Sequence, residues 1–377
     1  MHDIILCLFI TFYTLIVGQE VYNLYVDNLG FRINVGTPSY TIYATPSLST
    51  DIILVVSANC GELNTLQCPS FCYEPLFSDI YCSADCQKLD KSEWCMKPVY
   101  AHKKYPSFNS TNSSTFELTG EFWKGNLDEY YAQIGQLARE TISFRPVEFN
   151  SSPTLKMMNW SFVNGMILDY KFIFNFQSVL GLAPGDSNFI HLLFKQHRIP
   201  KPVMSIAYMV GRMTVGDYNN ANCFNWWYKK ASDDNWILKV DSVEFQNRTF
   251  KSNVYVTFDL TTDFVYIPDD QFHELFKMGM IRRRSFSGYD VFCDRDFDLK
   301  FKVNNHEMFI PTPRLMVSSE PYCGIQILPL RNRPLGSHLY ADEPNWILGW
   351  PFLHDFCIGY NFETNEIGIA DFIDSSF

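Results

Sequence analysis

Two short stretches of this chain hold the residues best placed to do chemistry, and they follow one pattern. Ser47-Leu48-Ser49-Thr50 begins nine residues after the Gly36-Thr37-Pro38 triplet. Asp259-Leu260-Thr261-Thr262 follows Val256-Thr257-Phe258 and runs on to Ile267-Pro268. Ser47 and Asp259 stand 212 residues apart. Later in each half comes an apolar-apolar-glycine triplet, Val179-Leu180-Gly181 and then Ile347-Leu348-Gly349, which makes a weak internal repeat. Two carboxyl groups held together share one proton, because like charges push their pKa values apart. One then takes a proton from water while the other donates to a carbonyl oxygen, and the pair titrates as a unit. Here the two matched positions carry one carboxylate, Asp259, and one hydroxyl, Ser47. A serine hydroxyl does not ionise at useful pH and cannot divide the acid and base roles.

Other chemistries find less support. Ser47 has no Gly-x-Ser-x-Gly elbow around it, and no histidine is tied to it by spacing. The eight histidines are scattered without a His-x3-His pair, so neither a metal nor a cofactor is expected. Asp51 is the acid nearest to Ser47, four residues on, at the far end of the same loop. Alone, Asp259 reads as a loop aspartate held by backbone N–H groups, a common device for fixing a turn. The net charge of −11 argues against a nucleic-acid partner. The basic triplet Arg282-Arg283-Arg284 is expected on a solvated loop or helix end.

The chain must be positioned by a substantial framework, and its 377 residues with 47% apolar content are enough for two cored units. An apolar run from Ile4 to Val17 ends at Gly18-Gln19, which suits a signal peptide over 1–18 and is short for a bilayer span. No later segment reads as transmembrane. Cys7 leaves with that signal, and ten cysteines remain: Cys60, Cys68, Cys72, Cys82, Cys86, Cys95, Cys223, Cys293, Cys323 and Cys357. An even number in a secreted chain reads as five disulfides. Sequons at Asn109, Asn112, Asn150, Asn159 and Asn247 fit a secreted glycoprotein.

Strand signals dominate. Phe31-Arg32-Ile33-Asn34-Val35 and Val254-Tyr255-Val256-Thr257-Phe258 alternate, and turn residues recur at short intervals. Two helical patches stand out. One spans Phe189 to Phe194, after Ser187 and before Pro200; the other spans Asp269 to Met278 with Phe272, Leu275 and Phe276 on one face.

Taken together, these motifs resemble the pepsin-like aspartic peptidases, over roughly Val21 to Phe372. That family places Gly-Thr-Pro before Asp-Thr-Gly-Ser and carries a second Asp-Thr-Gly-Thr further on. The resemblance implies a mainly β, bilobal fold, two pseudo-twofold-related lobes with a cleft between them. The apolar-apolar-Gly element of each lobe would thread through its active-site loop. The lobes would cover 19–209 and 210–377, with one strand crossing near Ser205 to Thr214. Trp346-Ile347-Leu348-Gly349, Gly359-Tyr360 and Ile367-Gly368-Ile369-Ala370 look like the closing strands. The resemblance also implies a Cys293–Cys323 disulfide and, as in cysteine-rich nematode members, a Cys223–Cys357 disulfide with a six-cysteine insertion over 60–95 whose pairing stays open.

Against that family the site departs at several points. Ser47 stands for the first aspartate, and Leu48 and Leu260 stand for the threonines that lock the two loops across the lobes. Removing one such partner strands a buried polar group at about 1–3 kcal/mol, whereas replacing both is nearly neutral. Ser49 and Thr261 replace the loop glycines, and Trp350 replaces an aspartate. The flap tyrosine falls at Asp128, or with a gap at Tyr130 or Tyr131, and no Gly-x-Gly follows. The expectation is a secreted, monomeric homologue that has lost catalysis and takes a peptide or protein in its cleft, at a site formed by Ser47, Leu48, Ser49, Thr50, Asp259, Leu260, Thr261 and Thr262. Two alternatives are an active endopeptidase with an atypical dyad, including one completed by a homodimer, and a structural or inhibitory glycoprotein whose cleft is packed shut by Leu48, Leu260, Phe258 and Trp350.

Overall fold

The computed structural model describes residues 19–27, 30–48, 50–57, 108–124, 133–147, 154–168, 178–232, 236–245, 248–251, 254–277, 279–283, 288–317, 322–332 and 346–373. These residues are mostly β-strand. The largest sheet has thirteen strands, in the order Cys223–Lys230, Glu366–Phe372, Phe356–Asn361, Val203–Ala207, Arg212–Val215, Tyr22–Asp27, Gly30–Val35, Tyr40–Ser47, Ser178–Gly181, Ile53–Val56, Lys156–Leu168, Gln133–Phe144 and Glu117–Lys124. A five-stranded sheet carries Leu238–Val240, Val254–Phe258, Trp346–Leu348, Val265–Ile267 and Ile327–Pro329. Two four-stranded sheets complete the framework.

Alternation explains the strands. In Gly30–Val35, Phe31, Ile33 and Val35 are buried while Arg32 and Asn34 face outward, the period of two that a half-buried strand requires. Gly36 then turns the chain with φ +91, a conformation in which a side chain would also crowd the Ser113 hydroxyl. The Thr37–Pro38 peptide is cis. This turn is pinned by hydroxyl groups: Thr37 N donates to Ser113 Oγ at 2.9 Å, Thr115 Oγ1 donates to the buried Glu140 carboxylate, and the Thr37 and Thr115 hydroxyl oxygens lie 3.0 Å apart.

The helices form where expected, with one difference. Phe189–Lys195 is capped by Asn188, whose side chain accepts from Ile190 N at 2.9 Å, and it buries Phe189, Ile190 and Leu193. Asp269–Lys277 has acidic residues in its first turn and a lysine in its last, matching the helix dipole. Phe272 and Leu275 are buried, but Phe276 lies 42% exposed on the flank of that stripe. Arg282–Arg283 is a short exposed strand rather than a loop or helix end, with Arg282 over the Tyr322 ring and 3.7 Å from Asp290. Arg284 lies outside the described residues.

The segment from Ser205 to Thr214 is a hairpin. Val203–Ala207 and Arg212–Val215 pair antiparallel around a turn at Tyr208–Gly211. The closing strands Phe356–Asn361 and Glu366–Phe372 set Gly359 opposite Gly368. A methyl on Gly359 would come within 2.8 Å of the Tyr218 ring, and one on Gly368 within 3.0 Å, so the glycine pair makes the bed on which Tyr218 lies. Tyr218 packs against Trp226 and Tyr228, and burial pushes its hydroxyl pKa well above the ordinary tyrosine value.

Two disulfides join the described cysteines. Cys223–Cys357 and Cys293–Cys323 have Cα–Cα distances of 6.0 and 5.1 Å. Both match the pairings that the sequence resemblance implied. Cys60, Cys68, Cys72, Cys82, Cys86 and Cys95 lie outside the described residues, as do the 1–18 segment, Ser49, Asp128, Tyr130, Tyr131, Asn150 and Asn247. No helix among the described residues is long and apolar enough to cross a membrane.

Candidate active site

The two chemistry-bearing loops are built by the same strand pattern, used twice. Ser178–Gly181 runs parallel to Tyr40–Ser47 with Pro46 opposite Leu180, and antiparallel to Ile53–Val56 with Ile53 opposite Leu180. Trp346–Leu348 runs parallel to Val254–Phe258 with Phe258 opposite Leu348, and antiparallel to Val265–Ile267 with Val265 opposite Leu348. Each inserted strand therefore separates the two arms of a loop, 47–52 in one case and 259–264 in the other. The repeat extends one strand outward. Ile53–Val56 is parallel to Lys156–Leu168, and Val265–Ile267 is parallel to Ile327–Pro329. Ser47 and Asp259 each stand first in their loop, so the register makes them counterparts.

Each loop closes on the glycine that ends its inserted triplet. A methyl on Gly181 would meet the Thr50 carbonyl oxygen at 2.6 Å, and one on Gly349 would meet the Phe264 carbonyl oxygen at 2.5 Å. The backbone bonds are correspondingly tight. Leu182 N donates to Ser47 O at 2.7 Å, Gly181 N to Ile52 O at 2.8 Å and Ala183 N to Thr50 O at 2.9 Å. In the second loop Asp259 N donates to Leu348 O at 3.0 Å and Trp350 N to Thr262 O at 2.9 Å. The threonines at the fourth position match as well: Thr50 Oγ1 accepts from Ile52 N at 3.5 Å, and Thr262 Oγ1 accepts from Phe264 N at 3.3 Å.

The side chains differ where chemistry would occur. Asp259 is partly exposed, and its Oδ1 accepts from Thr261 N at 2.8 Å and from Thr261 Oγ1 at 2.6 Å. The carboxylate is thus turned onto its own loop, and the hydroxyl that Thr261 brings supplies one of those two donors. Ser47 is likewise partly exposed. Asp51, the nearest acid in the first loop, accepts from Ser187 N at 3.1 Å, and its carboxylate lies over Gly185, where an added methyl would come within 2.6 Å of its Cγ. That carboxylate is committed to the 183–187 turn.

Leu48 and Leu260 are 8% and 6% exposed and belong to one hydrophobic cluster, which also holds Phe258. Trp350 behaves otherwise. It is 38% exposed and packs edge-on against His354 at 5.8 Å. The apolar side chains therefore split, three into the core and one toward solvent, and Trp350 does not help close the site. The Gly36-Thr37-Pro38 triplet sits at the opposite end of the Tyr40–Ser47 strand from Ser47, where it serves the turn.

Motif reasoning missed Trp236. It is fully buried, its indole Nε1 donates to Leu182 O, and its carbonyl accepts from Thr257 Oγ1, both at 2.9 Å. Its only sequence signal is general: a buried tryptophan needs a partner for its N–H.

A family model described as eukaryotic aspartyl protease matches residues 82–372. The matched residues include the Asp259 loop, both inserted triplets and both described disulfides. They begin beyond Ser47, so the equivalence of Ser47 with Asp259 rests on the repeated strand register. No curated protein matches the chain.

Proposed function

We propose that this chain, which belongs to the eukaryotic aspartyl protease family, binds a peptide or protein segment in an interlobe cleft without cutting it. One observation carries the reading: the position that mirrors Asp259 in the strand register holds Ser47. Proteolysis by this route needs one ionised and one protonated carboxyl, each tuned by the other. A hydroxyl opposite a carboxylate supplies no such split. Asp51 gives no substitute, because its carboxylate is bonded to the Ser187 amide. The wider reading is a secreted, glycosylated monomer, cleaved after a leader over 1–18 and divided into lobes at 19–209 and 210–377. The two disulfides support an oxidising compartment.

The test is cleavage of unfolded substrates by the purified protein between about pH 3 and 6, where carboxyl dyads titrate. No pepstatin-sensitive cleavage is expected. Cleavage that disappears in Asp259→Ala would overturn the proposal. Ser47→Asp alone is also expected to stay silent, since Thr261 still holds Asp259 Oδ1 and position 49 still carries a side chain. Activity should require Ser49→Gly and Thr261→Gly alongside Ser47→Asp.

A further inference from the structure

We infer that Trp236 is a positioning residue that ties the two site loops together through its indole N–H and its backbone carbonyl. Its indole N–H reaches Leu182 O, and Leu182 in turn donates its N–H to Ser47 O at 2.7 Å. Its carbonyl receives the hydroxyl of Thr257, two residues before Asp259 on the strand that enters the second loop. A chain of hydrogen bonds thus runs from Ser47 through Leu182 and Trp236 to Thr257 and the Asp259 strand.

The setting makes these bonds consequential. Leu182 and Trp236 are fully buried and Thr257 is 1% exposed. In such surroundings a polar group left without its partner costs more than an ordinary bond returns. The Trp236 ring is held by Tyr360, with centroids 4.7 Å apart, so the indole has little freedom to turn away. The side chains of Leu48 and Leu260 carry no polar atoms, so neither can hydrogen-bond across the loops. Trp236 joins them from behind, through the strands that set their position, and this holds whether or not the site cuts.

The experiment is amide hydrogen exchange on the full chain. Trp236→Phe keeps an aromatic ring beside Tyr360 and removes the donor to Leu182. Thr257→Val keeps the side-chain shape and removes the donor to Trp236. Each variant should speed exchange in the loop far from the change as well as the near one: Asp259 N–H in Trp236→Phe, and Leu182 N–H in Thr257→Val. The expected rise is about tenfold, the effect of orphaning one buried partner. The hairpin Leu299–Val303 with His306–Ile310 should exchange as in the parent protein. A rise confined to the near loop, a uniform rise that includes that hairpin, or no rise would each overturn the inference. Thr257→Val carries the test if Trp236→Phe does not fold.

Discussion

At the scale of single residues, positions 48 and 260 are the informative pair, because both are leucine at matched places in the two loops. Both leucines are buried in the same apolar cluster. A threonine at one of them alone would bury a hydroxyl among apolar atoms, at a cost of about 1–3 kcal/mol. Two threonines could satisfy each other. Leu48→Thr and Leu260→Thr should therefore each lower stability by about that amount, and the double variant should fall short of their sum by about 1 kcal/mol or more. Denaturant midpoints for the four proteins measure this directly. Strict additivity would show that the two side chains do not face each other. The identities at 47, 48, 259 and 260 could be read from the chain, with one carboxylate and one hydroxyl at the matched positions. What spacing could not disclose was where Asp51 and Thr261 point. Asp51 turns to the Ser187 amide, and Thr261 places its hydroxyl on Asp259. Both contacts depend on loop geometry that local pattern does not encode.

At the scale of elements, alternation located the strands Gly30–Val35 and Val254–Phe258, and the apolar-apolar-Gly triplets located the two inserted strands. Pairing partners separated by more than a hundred residues were accessible only through the family resemblance. The resemblance implies one crossing strand near Ser205 to Thr214, whereas the segment is a hairpin whose turn Gly211 makes possible by adopting φ +59. Periodicity places Phe276 on the same face as Phe272 and Leu275, yet only those two meet the core. The inserted strands also carry a sharp prediction. Gly181→Ala and Gly349→Ala would each drive a methyl into backbone carbonyls of the surrounding loop. Backbone cannot step aside as a flexible side chain can, so each should cost about 3 kcal/mol or more, or abolish the folded product. Gly324→Ala is the matched control. It also lies in a strand, but the nearest atom to its added methyl is 3.9 Å away, so its stability should change by less than about 1 kcal/mol. Thermal or chemical unfolding of the three variants separates the outcomes, and equal losses at all three would remove the close-approach argument.

At the scale of the whole molecule, the two disulfides brace different spans. Cys223–Cys357 closes 134 residues and joins the strands Cys223–Lys230 and Phe356–Asn361, which flank Glu366–Phe372 in the largest sheet. Cys293–Cys323 closes 30 residues and staples the neighbouring strands Tyr289–Phe292 and Tyr322–Ile325 near their ends. If a cross-link acts chiefly by limiting the unfolded chain, its effect grows with the logarithm of the loop it closes, by about 0.6 kcal/mol per doubling. The longer loop exceeds two doublings of the shorter one. Cys223→Ala with Cys357→Ala should therefore cost about 1 kcal/mol more than Cys293→Ala with Cys323→Ala. Both cysteines of the first pair and Cys323 of the second are buried, so the packing lost on truncation differs less than the loops do. Denaturant unfolding of the two double variants gives the comparison. An equal or reversed order would mean that native contacts around the bridges, among them Ala207 and Ala370 beside Cys223–Cys357, outweigh the restriction of the unfolded chain.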